Sequence, residues 1–225
     1  MNIDQNEVTK FAEQADKWWD KEGDFKPLHK INPLRASYIN DIVNLENKNF
    51  LDVGCGGGIL TEAIFDKGAF VTGIDAAGPG IETARIHAKK NSKNINYIVG
   101  TAEEFYEKND ERFDVISCLE VLEHVPDPKS LIDVCTKLLK PGGDLFLSTI
   151  NKNPRSWVTA IVGAEYIFKI LPKGTHEYDK FIKPSSRRRN TCTIFISYNC
   201  ISKLSNSLRI SICSTVPTKS SFPIG

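Results

Sequence analysis

Short apolar runs alternate with longer amphipathic stretches between Phe50 and Thr149. The apolar runs predict five strands, at Phe50–Val53, Phe70–Ile74, Asn96–Val99, Val115–Cys118 and Asp144–Thr149. The stretches between them predict helices at Ile59–Lys67, Ile81–Asn91 and Lys129–Leu139. Strands separated by helices are typical of βαβ units, in which helices cover both faces of a parallel sheet. We therefore expect an α/β fold with a three-layer, Rossmann-like sheet.

The first 49 residues have a helical pattern instead. One face of a predicted helix carries apolar side chains three or four residues apart, at Val8, Phe11, Ala12, Ala15 and Trp19. Pro27 and Pro33 are expected to interrupt this helix, and the pattern resumes from Ala36 to Leu45. Lys140 to Gly143 predicts a sharp turn before the fifth strand.

The most apolar stretch of the chain covers residues 156–172 and is too short to span a bilayer. Two interpretations stay open for it. The stretch is either a helix that covers the core or a helix that lies at a membrane surface. The second would place Trp157, Tyr166 and Phe168 at the boundary, with lysine and arginine side chains nearby.

Composition changes this picture mainly at the C-terminus. The chain has 225 residues, 29 of them basic and 28 acidic, which suggests one domain and gives no reason to expect nucleic-acid binding. From Ser185 onward there is no acidic residue, and the segment is rich in serine. We expect this basic tail to be poorly ordered, although alternation at Thr193–Tyr198 and Leu208–Cys213 is compatible with two strands.

Targeting and redox signals indicate a cytoplasmic protein. The N-terminus is polar and acidic, unlike a signal peptide or a transit peptide. The six cysteines show neither CxxC spacing nor the density of a secreted scaffold. We expect free thiols in a reducing compartment.

Candidate chemistry begins at the glycine-rich loop from Asp52 to Gly58, between the first strand and its helix. A simple tight turn needs one or two glycines, whereas this loop has four within five positions, Gly54 and Gly56 to Gly58. A dinucleotide site of G-x-G-x-x-G spacing would need a third glycine where Ile59 stands. The spacing instead fits D-x-G-x-G-x-G, in which Asp52 suits a cationic amino-acid group. Asp75, at the end of the second strand, is placed to accept ribose hydroxyls.

This loop resembles that of class I S-adenosylmethionine-dependent methyltransferases. Gly100 to Glu104, which includes Ala102, is similar to their adenine-side loop, and Leu138 to Gly143 is similar to their turn before the fifth strand. The resemblance covers about Phe50 to Thr149. It implies S-adenosylmethionine as cofactor, with Asp52, Gly54, Gly56, Asp75 and Ala102 among its contacts.

A narrower resemblance, to the ubiquinone-biosynthesis O-methyltransferases, covers most of residues 8–184. It is carried by Trp18 to Arg35, by Leu119 to Pro128, and by Val162 to Ile167 followed by Pro172 to Pro184. It implies that Arg35, Gly54, Asp75 and Leu119 contact the cofactor. An arginine fork matches a carboxylate, while the alternative for Arg35 is a surface side chain that caps a helix.

Glu120, Glu123 and His124 form a candidate metal site. If this segment is helical, the three side chains share one face, and two carboxylates with an imidazole suit Mg²⁺, Mn²⁺ or Zn²⁺. The alternative is a solvated acidic turn with a capping histidine. The resemblance implies a divalent metal, with Mg²⁺ favoured, that promotes the phenolate of a catechol-like substrate. His124 is then a metal ligand or a catalytic base.

The resemblance further implies O-methylation of polyprenylated phenols in ubiquinone biosynthesis, at one or both methylation steps. Membrane-resident substrates favour the membrane interpretation of Trp157–Leu171. They also favour a peripheral location at the inner membrane or the mitochondrial inner membrane, and association with a quinone-biosynthesis complex. We expect an N-terminal helical region at 1–49, a methyltransferase domain at 50–184 with a membrane-contact insertion at about 152–181, and a tail at 185–225.

The similarity to the family stops after Pro184, where the family continues into a helix and two strands. We therefore expect those C-terminal strands to be missing or replaced. Three alternative functions stay open: another small-molecule methyltransferase, a nicotinamide oxidoreductase, and an inactive product with an altered C-terminus.

Overall fold

A computed structural model describes residues 2–148, 193–199 and 207–213 of the chain. The helices are α1 Gln5–Ala12, α2 Lys26–Val43, α3 Ile59–Phe65, α4 Gly78–Lys90, α5 Ala102–Lys108 and α6 Pro128–Leu138. The strands are β1 Asn49–Val53, β2 Phe70–Asp75, β3 Asn96–Val99, β4 Phe113–Leu119, β5 Leu139–Ser148, β6 Thr193–Asn199 and β7 Ser207–Cys213. The five strands predicted between Phe50 and Thr149 are confirmed, with shifts at their ends.

The described strands form one sheet in the order β3-β2-β1-β4-β5-β6-β7. Strands β1 to β5 are parallel to one another, which confirms the Rossmann-like architecture. The strand order reverses between β1 and β4, whose neighbouring positions are Phe50 and Val115 at one end and Val53 and Cys118 at the other. Ligands of open α/β sheets bind at the carboxyl ends of the strands at such a reversal.

Apolar side chains fill both faces of the sheet. On one face α2 and α3 pack over Phe50 and Phe146, which are fully buried, and α4 packs nearby over Tyr97 of β3. On the other face α5 and α6 pack over Ile116 and Leu145. Burial on two faces explains why these strands have nearly continuous apolar sequences.

Two expectations for the N-terminal region are wrong. Helix α1 ends at Ala12, and a short 3-10 helix at Ala15–Lys17 follows, so Trp19 does not extend the apolar face of α1. Helix α2 continues through Pro33 from Lys26 to Val43. Burial of Ala36 and Ile39 against the sheet fixes this helix despite the cost of an internal proline.

The glycine turn before the fifth strand is also different from the expectation. Phe113 pairs with Leu139 and Val115 pairs with Asp144, so that residues 140–143 lie opposite Asp114 alone. This stretch is an irregularity within β5, in which Gly142 has φ +83°. The short helix α5 was not predicted, although Thr101 and Glu104 form a capping box at its start.

Part of the C-terminal tail is sheet. Strand β6 pairs antiparallel with β5, with Leu147 opposite Ile196, and β7 pairs antiparallel with β6. Both strands coincide with the two stretches of alternating sequence, and they occupy the edge beyond β5. Because β6 runs opposite to β5, the chain leaves β5 and enters β6 at the same edge of the sheet, the carboxyl edge of the parallel strands.

The predicted insertion at 152–181 and the apolar helix at Trp157–Leu171 lie outside the described residues. Among the helices within residues 2–148, none has the length and apolar character that crossing a bilayer requires.

Candidate cofactor and active site

A cavity of about 430 Å³ opens at the carboxyl ends of β1 and β4, where the strand order reverses. The loops after β1, β2, β3 and β4 contribute to its wall, and α1 and α2 contribute the opposite side. All ten residues that the sequence marked as site candidates line this cavity: Arg35, Asp52, Gly54, Gly56, Asp75, Ala102, Leu119, Glu120, Glu123 and His124. Candidate residues from separate segments of the sequence are therefore brought together at one place in the fold.

The glycine loop is shaped by backbone conformations that side chains disfavour. Gly54, Gly56 and Gly58 have φ values of +74°, +52° and +84°. A Cβ atom on Gly54 would lie 2.2 Å from Cγ2 of Val121, so glycine is required there for space as well as for conformation. The Gly54 N–H donates to the Ile74 carbonyl at 2.8 Å, which holds the loop against β2.

Asp75 joins the loops after β1 and β2. Its Oδ2 accepts the Gly56 N–H at 2.8 Å, and its Oδ1 accepts the Ala77 N–H at 2.7 Å. Burial raises the pKa of this carboxyl, and the two backbone donors counteract the shift. Each carboxylate oxygen keeps a second acceptor site, which is the capacity that two ribose hydroxyls would need.

Asp52 is buried at the floor of the cavity. Its Oδ1 accepts from the Ser117 hydroxyl and its Oδ2 from the Thr61 hydroxyl, both at 2.7 Å. Burial raises the pKa of Asp52 to about 6, against the opposing effect of these hydrogen bonds. The carboxylate is therefore ionised above that pH and is suited to an ammonium group that enters the cavity.

Ala102 and Leu119 lie on the side of the cavity formed by the loops after β3 and β4. Ala102 is the buried first residue of α5, and the Thr101 Oγ1 in front of it accepts the Glu104 N–H at 3.1 Å. Leu119 is the last residue of β4 and is partly exposed to the cavity. An alanine and a leucine there provide a small apolar wall, which suits the face of an adenine ring.

Helix α2 brings Arg35 over the loops after β1 and β4. Arg35 is buried and forms an ion pair with Glu120, and Asn32, one turn earlier, donates to the Ile59 carbonyl at 2.9 Å. The interpretation of Arg35 as a surface cap is therefore wrong. Its Nε is buried and has no hydrogen-bond partner within the described ranges. A cofactor carboxylate in the cavity would supply the acceptor that this donor lacks.

We expect Arg35→Lys to weaken S-adenosylhomocysteine binding by about tenfold, because a lysine ammonium lacks the planar fork that a carboxylate fits. Isothermal titration calorimetry measures this change. Lys30→Ala removes an exposed positive charge from the same helix and serves as the control for long-range charge effects. Equal losses of affinity in both variants would contradict a direct contact.

The proposed metal ligands are not arranged as a helical face. Glu120 has φ +59°, and a 3-10 helix begins only at Leu122, so the helical spacing assumed for Glu120, Glu123 and His124 is wrong. Glu120 is paired with Arg35, and the His124 Nδ1 lies 2.9 Å from Oε2 of Glu7. Within residues 2–148 no three His, Cys, Asp or Glu side chains are grouped as a metal site. This arrangement does not fit a divalent cation.

Helix α1 forms a wall of the cavity that the sequence did not indicate. The Asn2 side chain donates to the Asp127 carbonyl at 2.8 Å and accepts the Asp127 N–H at 2.8 Å. Glu7 contacts His124, and the Phe11 ring packs edge-on against the His124 ring at 5.1 Å. These contacts join positions more than a hundred residues apart, so no local sequence pattern announces them.

Comparison with known proteins identifies relatives for most of the chain. A methyltransferase domain family matches residues 51–147. A ubiquinone biosynthesis O-methyltransferase of Saccharophagus degradans is 55% identical over 185 residues, which cover 82% of this chain and 78% of that protein. A protein of the same name from Pasteurella multocida is 50% identical over 215 residues, with 88% and 89% coverage.

One solved structure illustrates the shared fold. The structure of a Haemonchus contortus phosphoethanolamine N-methyltransferase with phosphoethanolamine and S-adenosylhomocysteine superposes with a TM-score of 0.52 at 18% identity. The match covers 64% of this chain and 31% of that one. At this identity the likeness supports the class I methyltransferase fold.

Proposed function

Because the chain belongs to the ubiquinone biosynthesis O-methyltransferases, we propose that it methylates a hydroxyl of polyprenylated catechol and quinol intermediates, at both O-methylation steps of that pathway. The methyl donor is S-adenosylmethionine. The observation that carries the proposal is the cavity that joins the glycine loop to Arg35, Asp52 and Asp75. Its charges match the cofactor, with a cation for the carboxylate, an anion for the ammonium and an acceptor for the ribose.

The chain's residues would act mainly by holding two reactants together. Asp52 and Arg35 fix the amino-acid end of the cofactor, and Asp75 fixes the ribose, so the sulfonium methyl has a defined position. The hydroxyl oxygen of the substrate attacks that methyl carbon, the carbon–sulfur bond breaks, and S-adenosylhomocysteine leaves as the neutral thioether. Such positioning alone supplies a large part of the rate enhancement for two bound reactants.

His124 is the proposed base for the substrate hydroxyl. Its Nδ1 lies within hydrogen-bond distance of the Glu7 carboxylate, which favours the tautomer that donates from Nδ1 and has its acceptor lone pair on Nε2. A phenol with a pKa near 10 needs such a base to react at neutral pH. Glu7, from α1, would thus orient the ring that receives the proton.

The test is methyl transfer from labelled S-adenosylmethionine to a short-chain polyprenyl catechol. We expect turnover by this chain and a loss of about 100-fold or more in His124→Ala, the usual contribution of a general base. Absence of turnover in a chain that binds S-adenosylhomocysteine would contradict the proposed substrate. Binding of a nicotinamide cofactor in its place would support the oxidoreductase alternative, and a chain that binds neither would be an inactive product.

The family resemblance motivates a more specific proposal, that a divalent metal assists the reaction. The arrangement of Glu120, Glu123 and His124 does not support it. The same assay addresses it through arms with added Mg²⁺ and with a chelator. A rate that is equal in both arms would show the metal hypothesis to be wrong. A rate that falls with the chelator and returns with Mg²⁺ would support it.

The substrate class motivates a further proposal about location. A polyprenyl phenol resides in a membrane, and the apolar sequence Trp157–Leu171 with neighbouring basic residues suits the membrane surface. We propose that the protein works on the cytoplasmic side of the inner membrane, near other enzymes of quinone biosynthesis. Within residues 2–148 the cysteines, Cys55, Cys118 and Cys135, are free thiols, as a reducing compartment would favour.

We expect the double variant Trp157→Glu/Phe168→Glu to bind liposomes at least about fivefold more weakly than the parent, because both changes would put charge at an apolar boundary. Co-sedimentation with vesicles of phosphatidylethanolamine and phosphatidylglycerol measures this. A retained affinity for S-adenosylhomocysteine shows that the variant is folded. Equal liposome binding by variant and parent would contradict membrane contact through this stretch.

A further inference from the structure

Two neighbouring tryptophans, Trp18 and Trp19, contact the glycine loop, and Trp18 also lines the cavity. They follow the 3-10 helix Ala15–Lys17. A Cβ atom on Gly56 or on Gly57 would lie 2.4 Å from the Trp18 ring, so this ring is in close contact with the loop backbone. Trp18 is itself stacked on Phe25, with ring centroids 4.2 Å apart. The loop is therefore enclosed by an aromatic layer from the N-terminal region.

Trp19 makes a directed contact to the same loop. Its indole Nε1 donates to the Gly57 carbonyl at 2.9 Å. The indole is stacked on the His87 ring of α4, with centroids 3.3 Å apart and planes 7° apart. His87 Nδ1 lies 2.6 Å from Oε1 of Glu62, a buried residue of α3, the helix that starts directly after the loop. Trp19 is thus held in place by α4, whose His87 is in turn held by α3.

The loop needs such support because of its composition. Glycine loses more backbone freedom on ordering than any other residue. Asp75 holds the loop from the cavity side through the Gly56 N–H, whereas Gly57 is not part of the cavity wall. Trp19 holds the next residue through the Gly57 carbonyl. The two contacts therefore fix consecutive residues of the loop.

We propose that Trp19 is a positioning residue for cofactor binding, whose indole N–H holds the glycine loop in the conformation that receives S-adenosylmethionine. A loop ordered in advance pays less entropy when the ligand binds. This role rests on the proposed function only in requiring the cofactor. It predicts an effect on cofactor affinity that is separate from the chemical step.

The test compares Trp19→Phe, which keeps a ring for stacking on His87 and removes the N–H, with the parent. We expect the Kd for S-adenosylhomocysteine and the KM for S-adenosylmethionine to rise about threefold to tenfold, the worth of one neutral hydrogen bond. At saturating cofactor kcat should stay within about twofold, since the bound loop has the same geometry. Amide exchange in residues 54–60 of the free chain should become faster.

Tyr106→Phe provides the comparison, because this half-buried aromatic side chain of α5 lies outside the cavity wall and the glycine loop. This variant removes one polar hydrogen from an aromatic side chain without touching the loop, so we expect its Kd to stay within about twofold of the parent value. An unchanged Kd in Trp19→Phe, an equal effect in both variants, or a loss of kcat without a change of KM would each overturn the positioning role. A parent chain that does not bind S-adenosylhomocysteine would overturn the proposed function and this role together.

Discussion

Replacing Gly54 by alanine is expected to weaken S-adenosylhomocysteine binding by at least about 100-fold, close to 3 kcal/mol. Two costs combine at this position. The φ value of +74° is strained for any residue with a Cβ atom, and that atom would lie 2.2 Å from Cγ2 of Val121. Relief of this steric overlap requires either the loop or Val121 to move, and both line the cavity. Calorimetric titration of the folded variant measures the loss.

Gly142→Ala separates the cost of backbone strain from the cost of steric overlap. Gly142 has a similar φ of +83°, but no atom lies within 4 Å of a Cβ built there. We expect this control to lose about 1 kcal/mol of folding stability from backbone strain and to keep its affinity for S-adenosylhomocysteine. The pair Gly54→Ala/Val121→Ala should recover part of the lost affinity. Binding by Gly54→Ala within about threefold of the parent would contradict the role assigned to this glycine.

Asp52→Asn is expected to produce a free chain that is more stable at pH 7.5 and binds the cofactor at least about tenfold more weakly. Burial raises the pKa of Asp52 to about 6, above the value of 3.8 for an unperturbed aspartate. A shift of this size corresponds to a cost of roughly 3 kcal/mol for the ionised carboxylate in the folded chain. An asparagine carries no charge, and its amide can still bond the Ser117 and Thr61 hydroxyls.

The pH dependence of this effect has a defined sign. At a pH between the unfolded and the folded pKa of Asp52, the folded chain binds the proton more strongly than the unfolded chain. The contribution of Asp52 to folding stability is therefore fully present below about pH 4 and is lost as the pH rises through about 6. The stability difference between Asp52→Asn and the parent should therefore be small at pH 4 and reach its full size above pH 7. Urea unfolding at several pH values measures it, and a variant less stable than the parent at pH 7.5 would contradict the assignment.

Asp114→Asn is a control for which we expect the opposite change in folding stability. Burial acts to raise the pKa of Asp114, but the bonds that its Oδ2 accepts from the Lys140 ammonium and the Asn49 N–H, each 2.9 Å, lower it overall. Its carboxylate stabilises the folded chain above the unfolded pKa, and this contribution is lost as the pH falls. Asp114→Asn should thus lose stability at pH 7.5, where Asp52→Asn gains it.

Much of the site was predictable because parallel strands bring their carboxyl ends together. Asp52, Asp75, Ala102 and Leu119 lie within or just after the carboxyl ends of four different strands, and all four line one cavity. Strand positions could be predicted because apolar runs are the direct consequence of burial on both faces of the sheet. The topology then determines where the polar ends of those runs meet.

The remaining features depend on contacts between distant segments. The hydrogen bond from Trp19 to Gly57 and the pairing of Asn2 with Asp127 leave no periodic signal. The conformation of Glu120 was missed for a different reason, since the left-handed φ of +59° is unusual for glutamate and nothing in the local sequence requires it. The helical spacing assumed for the metal ligands is wrong at this residue, because the 3-10 helix begins only at Leu122.

The direction of β6 has a consequence for how a lipid-borne substrate would reach the cavity. The chain leaves β5 at Ser148 and enters β6 at Thr193, and both residues lie at the edge of the sheet that carries the cofactor loops. The stretch Trp157–Leu171, for which we propose membrane contact, belongs to a segment whose two attachment points on the described sheet lie at this edge. In the proposed function, the ring of a polyprenyl substrate has to meet the cofactor at this same edge, because the cavity opens there.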